Sequence, residues 1–237
     1  MRKIYFFLIA IFFTTLSIQS QTETDTISKK SITTSDLSER KNAITVSVGT
    51  TGFSFGYARK LSSKLNGIIA YNTFTLNDKE ADVSSLLDND DVDFLGSVKS
   101  TIIDLGAEYV PFKNSSFKLA FGVGFLNDVN INGLITYKEG IAVGDVNVSK
   151  QDVGKIVIDS EWTGVAPFIG FGFGRAVPKN KFGFGIDIGT YFTKTPEVSL
   201  TADKLLAPTQ DEQATLQDAF TTLTFIPRIQ LRLTYKF

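Results

Sequence analysis

Residues 224–237, TFIPRIQLRLTYKF, alternate between two kinds of side chain up to the last residue. One set is apolar or aromatic: Phe225, Pro227, Ile229, Leu231, Leu233, Tyr235 and Phe237. The other set is almost entirely polar: Ile226, Arg228, Gln230, Arg232, Thr234 and Lys236. Alternation with a period of two is typical of a β-strand whose two faces meet different surroundings. The chain must therefore fold into something that keeps one face of this strand apolar and the other polar.

The same two-faced pattern recurs along the chain, in residues 53–58, 101–109, 117–125, 165–174 and 182–189. In each segment one face carries Phe, Ile, Leu, Val or Tyr, and the other carries mainly Gly, Ala and a few charges. A face of glycine and charge cannot form a hydrophobic core, whereas a bulky face turned toward lipid meets a solvent that suits it. The pattern predicts an all-β fold, a closed antiparallel transmembrane β-barrel, and the alternative is a secreted β-sandwich with the bulky face inside.

The segments between turns predict eight strands, near residues 43–49, 52–61, 65–76, 98–111, 116–127, 161–177, 181–193 and 223–237. Connections near 61–66, 111–117 and 178–182 are short, whereas 77–97, 127–160 and 194–221 are long. Short periplasmic turns and long outer loops are typical of outer-membrane barrels, and an even strand count leaves both termini in the periplasm. The first strand is short, so residues 43–60 are one strand or two; if one, the region 131–160 supplies the eighth.

The N-terminal region predicts export. Arg2 and Lys3 precede the apolar run 4–18, and small residues follow before Gln21, which indicates a signal peptide over 1–20. Residues 21–42 are rich in Ser, Thr and charge, so they are expected to form a disordered periplasmic tether. The barrel domain is then 43–237.

Two absences from the composition exclude whole classes of chemistry. The 237 residues include no cysteine and no histidine, so no disulfide, thiolate or histidine-based site is possible. The net charge of −1 gives no reason to expect a nucleic-acid partner. No catalytic, cofactor-binding or metal site is expected from these residues.

The C-terminal LRLTYKF resembles the signal by which outer-membrane barrels are recognised for assembly, carried here by Leu231, Leu233, Tyr235 and Phe237. Residues 43–237 resemble the small outer-membrane β-barrel proteins of the OmpA-like superfamily. The similar segments belong to a poorly characterised branch and are GTTGFSFGYARKL, AEYVPFKNSSFKLAFGVGF, APFIGFGFG and TPEVSLTAD. The resemblance implies an outer-membrane location, a barrel fold and contact with the barrel-assembly machinery. Enzymes among such barrels use an essential histidine, so it also implies a non-enzymatic protein.

Seven charged residues fall on the predicted inward faces: Asp104, Glu108, Lys118, Asp187, Arg228, Arg232 and Lys236. They are expected to form a salt-bridge network that fills the lumen, with Arg228 or Arg232 making a bidentate pair with Asp187. The alternative is a narrow charged path for ions or small polar solutes.

Two of the long loops have features of their own. The loop 77–97 holds seven acidic residues and is expected to be solvated, sharing divalent cations with lipopolysaccharide; a calcium site is the alternative, although LDNDDVDF lacks the required glycine. The loop 194–221 predicts a short helix near 209–221, because Thr209 and Glu212 have capping-box spacing and apolar residues follow at helical intervals.

These observations predict an integral outer-membrane barrel with a structural or surface-interaction role exercised through its outer loops. Its expected surroundings are outer-membrane lipid and lipopolysaccharide. A narrow porin-like channel for ions or small polar solutes is the alternative function.

Overall fold

The computed structural model describes residues 40–81, 92–143 and 145–237, so the predicted signal peptide and nearly all of the predicted tether lie outside it. The strands, numbered in chain order, are β1 Asn42–Gly49, β2 Gly52–Lys60, β3 Leu65–Ala81, β4 Val92–Tyr109, β5 Phe117–Tyr137, β6 Ile141–Val143, β7 Val146–Val148, β8 Lys155–Phe173, β9 Phe182–Phe192, β10 Glu197–Ala202 and β11 Phe225–Lys236. The helices are α1 Lys150–Val153, a 3-10 helix Lys204–Glu212 and α2 Gln213–Phe220. Within the described residues, no helix is long and apolar enough to cross a membrane.

Eight strands close into a ring in the order β1-β2-β3-β4-β5-β8-β9-β11, and β11 pairs back with β1. All pairings in the ring are antiparallel. The predicted all-β closed antiparallel barrel of eight strands is therefore confirmed. We call the end that carries Arg40 and Phe237 the terminal end, and the opposite end, where the long connections lie, the loop end.

Residues 43–60 form two strands. β1 and β2 pair along their whole length, from Asn42–Arg59 to Gly49–Gly52, around a turn at Thr50 and Thr51. Gly52 has a φ of +83°, and a Cβ there would come within 2.2 Å of the Thr73 carbonyl oxygen, so the turn requires glycine at this position. The alternative of one kinked strand completed by the region 131–160 is wrong.

The side chains face as the alternation predicts. Phe121, Phe184 and Leu233 lie on the outside of the ring and are 48%, 80% and 44% exposed, whereas Arg232 points inward and is 7% exposed. Apolar side chains from all eight strands form this outer belt, and a buried core of the sandwich type would have reversed the two faces. The secreted-sandwich alternative is wrong.

Four strands run well past the predicted boundaries at the loop end. The predicted ends near 76, 98 and 127 coincide with register shifts between Leu76 and Lys79, Lys99 and Ile102, and Leu126 and Val129. Asp78 and Asp128 have positive φ at two of these bulges. A bulge changes which residues share a face, so the strands continue although the alternation stops. Much of the predicted long loops 77–97 and 127–160 is therefore strand, as is Glu197–Ala202 in the loop 194–221, and β3, β4, β5, β8 and β10 form an extension at the loop end.

The helix predicted near 209–221 is present but begins later than expected. Helix α2 starts at Gln213 after the 3-10 helix, and its N-cap residue, Glu212, makes no side-chain capping bond. Thr209 lies inside the 3-10 helix, so the predicted capping box does not form. The four-residue helix α1 was not predicted.

Candidate functional site: the closed lumen

Six of the seven predicted inward charges meet in the lumen of the barrel. We call Asp104, Glu108, Lys118, Asp187, Arg228 and Arg232 the ionic network. β4, β5, β9 and β11 each contribute at least one of these residues at an inward position, so pairing across the lumen brings them together. Three carboxylates face three cations, and all six groups are largely buried.

The level of the network nearer the terminal end joins four residues. Glu108 pairs with Lys118 and also with Arg232, whose Nη1 lies 2.6 Å from a Glu108 oxygen. Lys118 Nζ also lies 2.5 Å from an Asp187 oxygen. The predicted bidentate pair with Asp187 is wrong. Arg232 approaches Asp187 only through Nε at 3.7 Å, because its Nη1 pairs with Glu108 and its Nη2 donates to the Gly174 carbonyl at 3.3 Å, and Arg228 pairs with Asp104 instead.

The level nearer the loop end is centred on Asp104. Its carboxylate lies 3.1 Å from Nη1 of Arg228 and accepts hydrogen bonds from the Tyr191 hydroxyl at 2.9 Å and the Asn72 amide at 2.9 Å. Gln230 Nε2 donates to the Asn72 side-chain oxygen, and Arg228 donates to Gln230 Oε1. Every polar group in this level therefore has a partner, which a buried polar network requires.

An apolar cluster closes the lumen toward the loop end. It consists of Ile102, Leu126, Val129, Trp162, Ala166, Phe168 and Tyr191. The ring of Phe168 lies across inward-facing glycines of neighbouring strands: a Cβ at Gly106 or at Gly122 would approach it to 2.8 Å. The guanidinium of Arg228 lies 5.0 Å from the centre of the same ring, so the cluster and the ionic network are in direct contact.

The turn between β8 and β9 closes the lumen at the terminal end. Ala176 and Val177 pack against Ala43 and Ala58 in a second, smaller apolar layer. The backbone N–H of Ala176 donates to Glu108 at 2.8 Å, which ties the turn to the ionic network. The predicted strand 161–177 extended too far at its C-terminal end, because β8 ends at Phe173 and the following residues fold inward.

The seventh predicted charge, Lys236, is separate from the network. Its cross-strand partner on β1 is Ala43 of the second apolar layer, and its Nζ donates to the Lys179 carbonyl oxygen at 2.7 Å. The remaining space in the lumen is a cavity of about 40 Å³ lined by Asp104, Glu108, Arg228 and Arg232 among others. That volume holds a few water molecules at most.

Glutamine side chains cover the free edge of the extension at the loop end. Gln217 accepts from the Val198 N–H and donates to the Pro196 carbonyl, and Gln213 accepts from the Leu200 N–H and donates to the Val198 carbonyl. The two amides, four residues apart on α2, thus pair with β10 as another strand would. They satisfy an edge that would otherwise offer a template for further pairing.

Two other predicted features lie away from the lumen: the acidic loop 77–97 and the four residues of the predicted assembly signal. Asp82, Asp88, Asp90 and Asp91 lie outside the described residues. Among the residues that the structure describes, no three acidic side chains gather in a way that could hold a metal ion. Leu231, Leu233, Tyr235 and Phe237 lie along the outward face of β11 and its end.

Sequence reasoning missed three groups: the aromatic pair Phe168 and Tyr191, the hydrogen-bonding Asn72 and Gln230, and the glutamines of α2. Phe168 and Tyr191 are bulky residues on the inward face, with ring centres 5.5 Å apart. A Phe in register with inward glycines on neighbouring strands is the signal that could have located the first pair.

No family model matches this sequence, and no curated protein matches it. The fold is similar to that of CarO2 of Acinetobacter baumannii, with a TM-score of 0.62 and 19% identity over 84% of this chain and 98% of that one. CarO of the same organism gives a TM-score of 0.60, 19% identity and the same coverage. This degree of similarity establishes the fold and nothing finer. The chain has the fold of an outer-membrane β-barrel protein.

Proposed function

We propose that this chain is a non-enzymatic integral protein of the outer membrane that acts through its loop end at the cell surface. The observation that carries the proposal is the contrast between a lumen filled along its length and a loop end extended into an ordered sheet with a covered edge. We further propose that it is a member of the OmpA-like superfamily and that its terminal end faces the periplasm.

The outer belt supports a membrane location. Phe53, Phe55, Phe171, Phe184 and Leu231, on β2, β8, β9 and β11, are each about half exposed or more. Exposed apolar side chains in such number would drive aggregation in water, whereas lipid and the acyl chains of lipopolysaccharide are suitable surroundings.

The filled lumen supports a role other than conduction. An eight-stranded barrel has an interior just wide enough for side chains, and here two apolar layers and the ionic network occupy it. Moving an ion through would require breaking several buried charge pairs at once, each of which is costly to separate.

The loop end supports a role in surface interaction. The edge of β10 is already satisfied by Gln213 and Gln217, so a partner would meet side chains of α2 and of the extension instead of a free strand edge. The extension also holds an ion pair between β4 and β5, that of Lys99 with Asp128. A pre-ordered surface loses less conformational entropy on binding than a flexible loop does.

The orientation can be tested because the natural sequence has no cysteine. We expect a membrane-impermeant maleimide to label a Thr215→Cys variant on intact cells, since Thr215 is an exposed residue of α2. A Ser63→Cys variant, in the exposed turn of the terminal end, should be labelled only after the outer membrane is permeabilised. The reverse pattern would contradict the proposed orientation.

The closed lumen can be tested by planar-bilayer recording of the pure refolded protein. We expect no single-channel steps from the natural chain. A Trp162→Ala/Phe168→Ala variant, which removes the two largest rings of the apolar cluster, is the matched control for a widened lumen. Regular steps from the natural chain would favour the narrow channel and contradict a closed barrel.

We also propose that Leu231, Leu233, Tyr235 and Phe237 form the assembly signal read by the barrel-assembly machinery. Phe237 lies at the end of the closing strand, and its N–H donates to the Asn42 carbonyl at 3.0 Å. We expect deletion of Phe237 to lower the amount of assembled barrel in cells while refolding in detergent proceeds. Equal loss in both settings would indicate a structural role for Phe237 only.

A further inference from the structure

A second cavity opens at the terminal end, outside the closed lumen. It has a volume of about 170 Å³, and we call it the basic pocket. Its lining combines five cations with two small polar side chains and three other residues, namely Arg40, Lys60, Arg175, Lys179, Lys236, Ser63, Asn66, Val110, Val177 and Pro178. Among the described residues, the lining contains no acidic side chain.

In the part of the chain that the structure describes, acidic side chains are also absent from the rest of the terminal end. Among the described residues, the cations at this end are Arg40, Lys41, Arg59, Lys60, Lys64, Lys113, Arg175, Lys179, Lys181 and Lys236, and no Asp or Glu side chain accompanies them there. The C-terminal carboxylate of Phe237 forms no ion pair with any of them. The field of so many like charges raises the local concentration of anions at the mouth of the pocket.

Lys236 is the most buried of the five cations in the lining, so its charge is the one that most needs a counter-ion. It is 3% exposed as a whole residue, and among the described residues its ammonium donates to a neutral backbone carbonyl, that of Lys179. Lys60 and Arg40 lie close enough to Lys236 for their charges to repel it. A partly buried ammonium among other cations is stabilised when an anion compensates its charge.

The acidic residues of the lumen cannot supply that compensation. The apolar layer of Ala43, Ala58, Ala176 and Val177 separates the pocket from the ionic network. On the other side of the layer, Glu108 and Asp187 are already paired with Lys118 and Arg232. Among the described residues, the carboxylates of the network thus balance its own cations, and the pocket is left with a surplus of positive charge.

We propose that the basic pocket is a binding site for a phosphate group. Lysine ammonium groups bind phosphate as point charges, and an arginine offers planar donors to the same oxygens. The exposed Ser63 and the buried Asn66 add neutral polar groups to the lining. The phosphate can belong to a soluble anion or to the headgroup of an anionic lipid in the adjoining leaflet. The site is formed whichever side of a membrane the terminal end faces, so it is independent of the proposed function.

The first experiment measures calorimetric binding of inorganic pyrophosphate to the refolded chain in a neutral detergent at low ionic strength. We expect saturable binding to one site that weakens as salt is added. A Lys60→Gln/Lys179→Gln variant should lose about tenfold or more in affinity, because each substitution removes a charge-assisted contact. Both positions are exposed, so the variant should retain its circular dichroism signal.

Arg59→Gln is the matched control. It removes one positive charge at the same end, from the strand neighbour of Lys60, but Arg59 does not line the pocket. We expect its affinity to stay within about twofold of the natural chain. If Arg59→Gln weakens binding as much as a single Lys60→Gln substitution does, binding is diffuse and the proposed site is wrong.

The second experiment separates the two sources of phosphate. Native mass spectrometry of the protein released from nanodiscs containing phosphatidic acid should show a retained lipid if the headgroup is the ligand, and the Lys60→Gln/Lys179→Gln variant should not retain it. Pyrophosphate binding without lipid retention would support a soluble anion. If neither pyrophosphate nor phosphatidic acid binds in a way that depends on Lys60 and Lys179, the proposal is overturned.

Discussion

The ionic network and the apolar cluster lie at successive levels of one lumen, and they close it through different kinds of contact. In the ionic network each carboxylate meets at least one cation, and Glu108 meets both Lys118 and Arg232. In the apolar cluster, Trp162, Phe168 and their neighbours fill the space by volume. The stability of the ionic network therefore depends on the chemical identity of every member, whereas the stability of the apolar cluster depends on the total volume and shape of its side chains.

Glu108→Ala should have the largest effect, because it removes a partner of two buried cations and the acceptor of the Ala176 N–H. Breaking a buried pair leaves an uncompensated charge, so we expect the free energy of unfolding to fall by about 3–5 kcal/mol. Urea unfolding in lipid vesicles measures this, with the fluorescence of Trp162, the single tryptophan, as the probe.

The control for that experiment is Glu197→Ala. Glu197 is an exposed acidic residue at the start of β10, and we expect its loss to change stability by no more than about 0.5 kcal/mol. Equal effects at the two positions would mean that the buried pairs contribute nothing specific to closure.

Tyr191→Phe tests the junction of the two levels. The substitution keeps the ring in the apolar cluster and removes the hydroxyl that donates to Asp104 at 2.9 Å. Hydrogen bonds to charged groups contribute about 1.5–3 kcal/mol, so we expect a loss in this range, with Asn72 and Arg228 still holding the carboxylate. The same urea titration measures it, and a neutral result would show that the two levels are independent.

Gly124→Ala tests packing at the same junction from the other side. A Cβ at Gly124 would approach Tyr191 Cε1 to 2.7 Å and Ile102 Cγ2 to 3.2 Å. Overpacking of this kind costs about 1–3 kcal/mol. Because both neighbours are side chains, a Tyr191→Leu background should relieve part of the cost, and a double-mutant cycle measures the relief. Additive losses would mean that the Tyr191 ring is not the obstacle.

Sequence alternation predicts the barrel because one physical demand, lipid outside and small or polar groups inside, acts on every second residue of strands such as β9 and β11. It fails beyond the bulges near Leu76, Lys99 and Leu126, because each register shift changes which residues share a face of the sheet. The inward position of the charges follows from the same alternation. Their partners do not, because the choice of Glu108 over Asp187 for Arg232 depends on strand stagger, which no local pattern encodes.

Ile102→Leu should have the smallest effect, and it tests whether the apolar cluster depends on volume alone. Ile102 is fully buried in the apolar cluster, and leucine conserves its volume and its apolar character. Such exchanges cost less than about 1.5 kcal/mol when the surroundings can repack.

Lys118→Met in the ionic network is the paired change, because it also keeps a long unbranched side chain but removes the charge that faces Glu108 and Asp187. Urea unfolding of the two variants in parallel should give a clearly larger loss for Lys118→Met. Equal losses would mean that volume alone closes both levels of the lumen, and that the charges of the network could be replaced by any side chains that fill the same space.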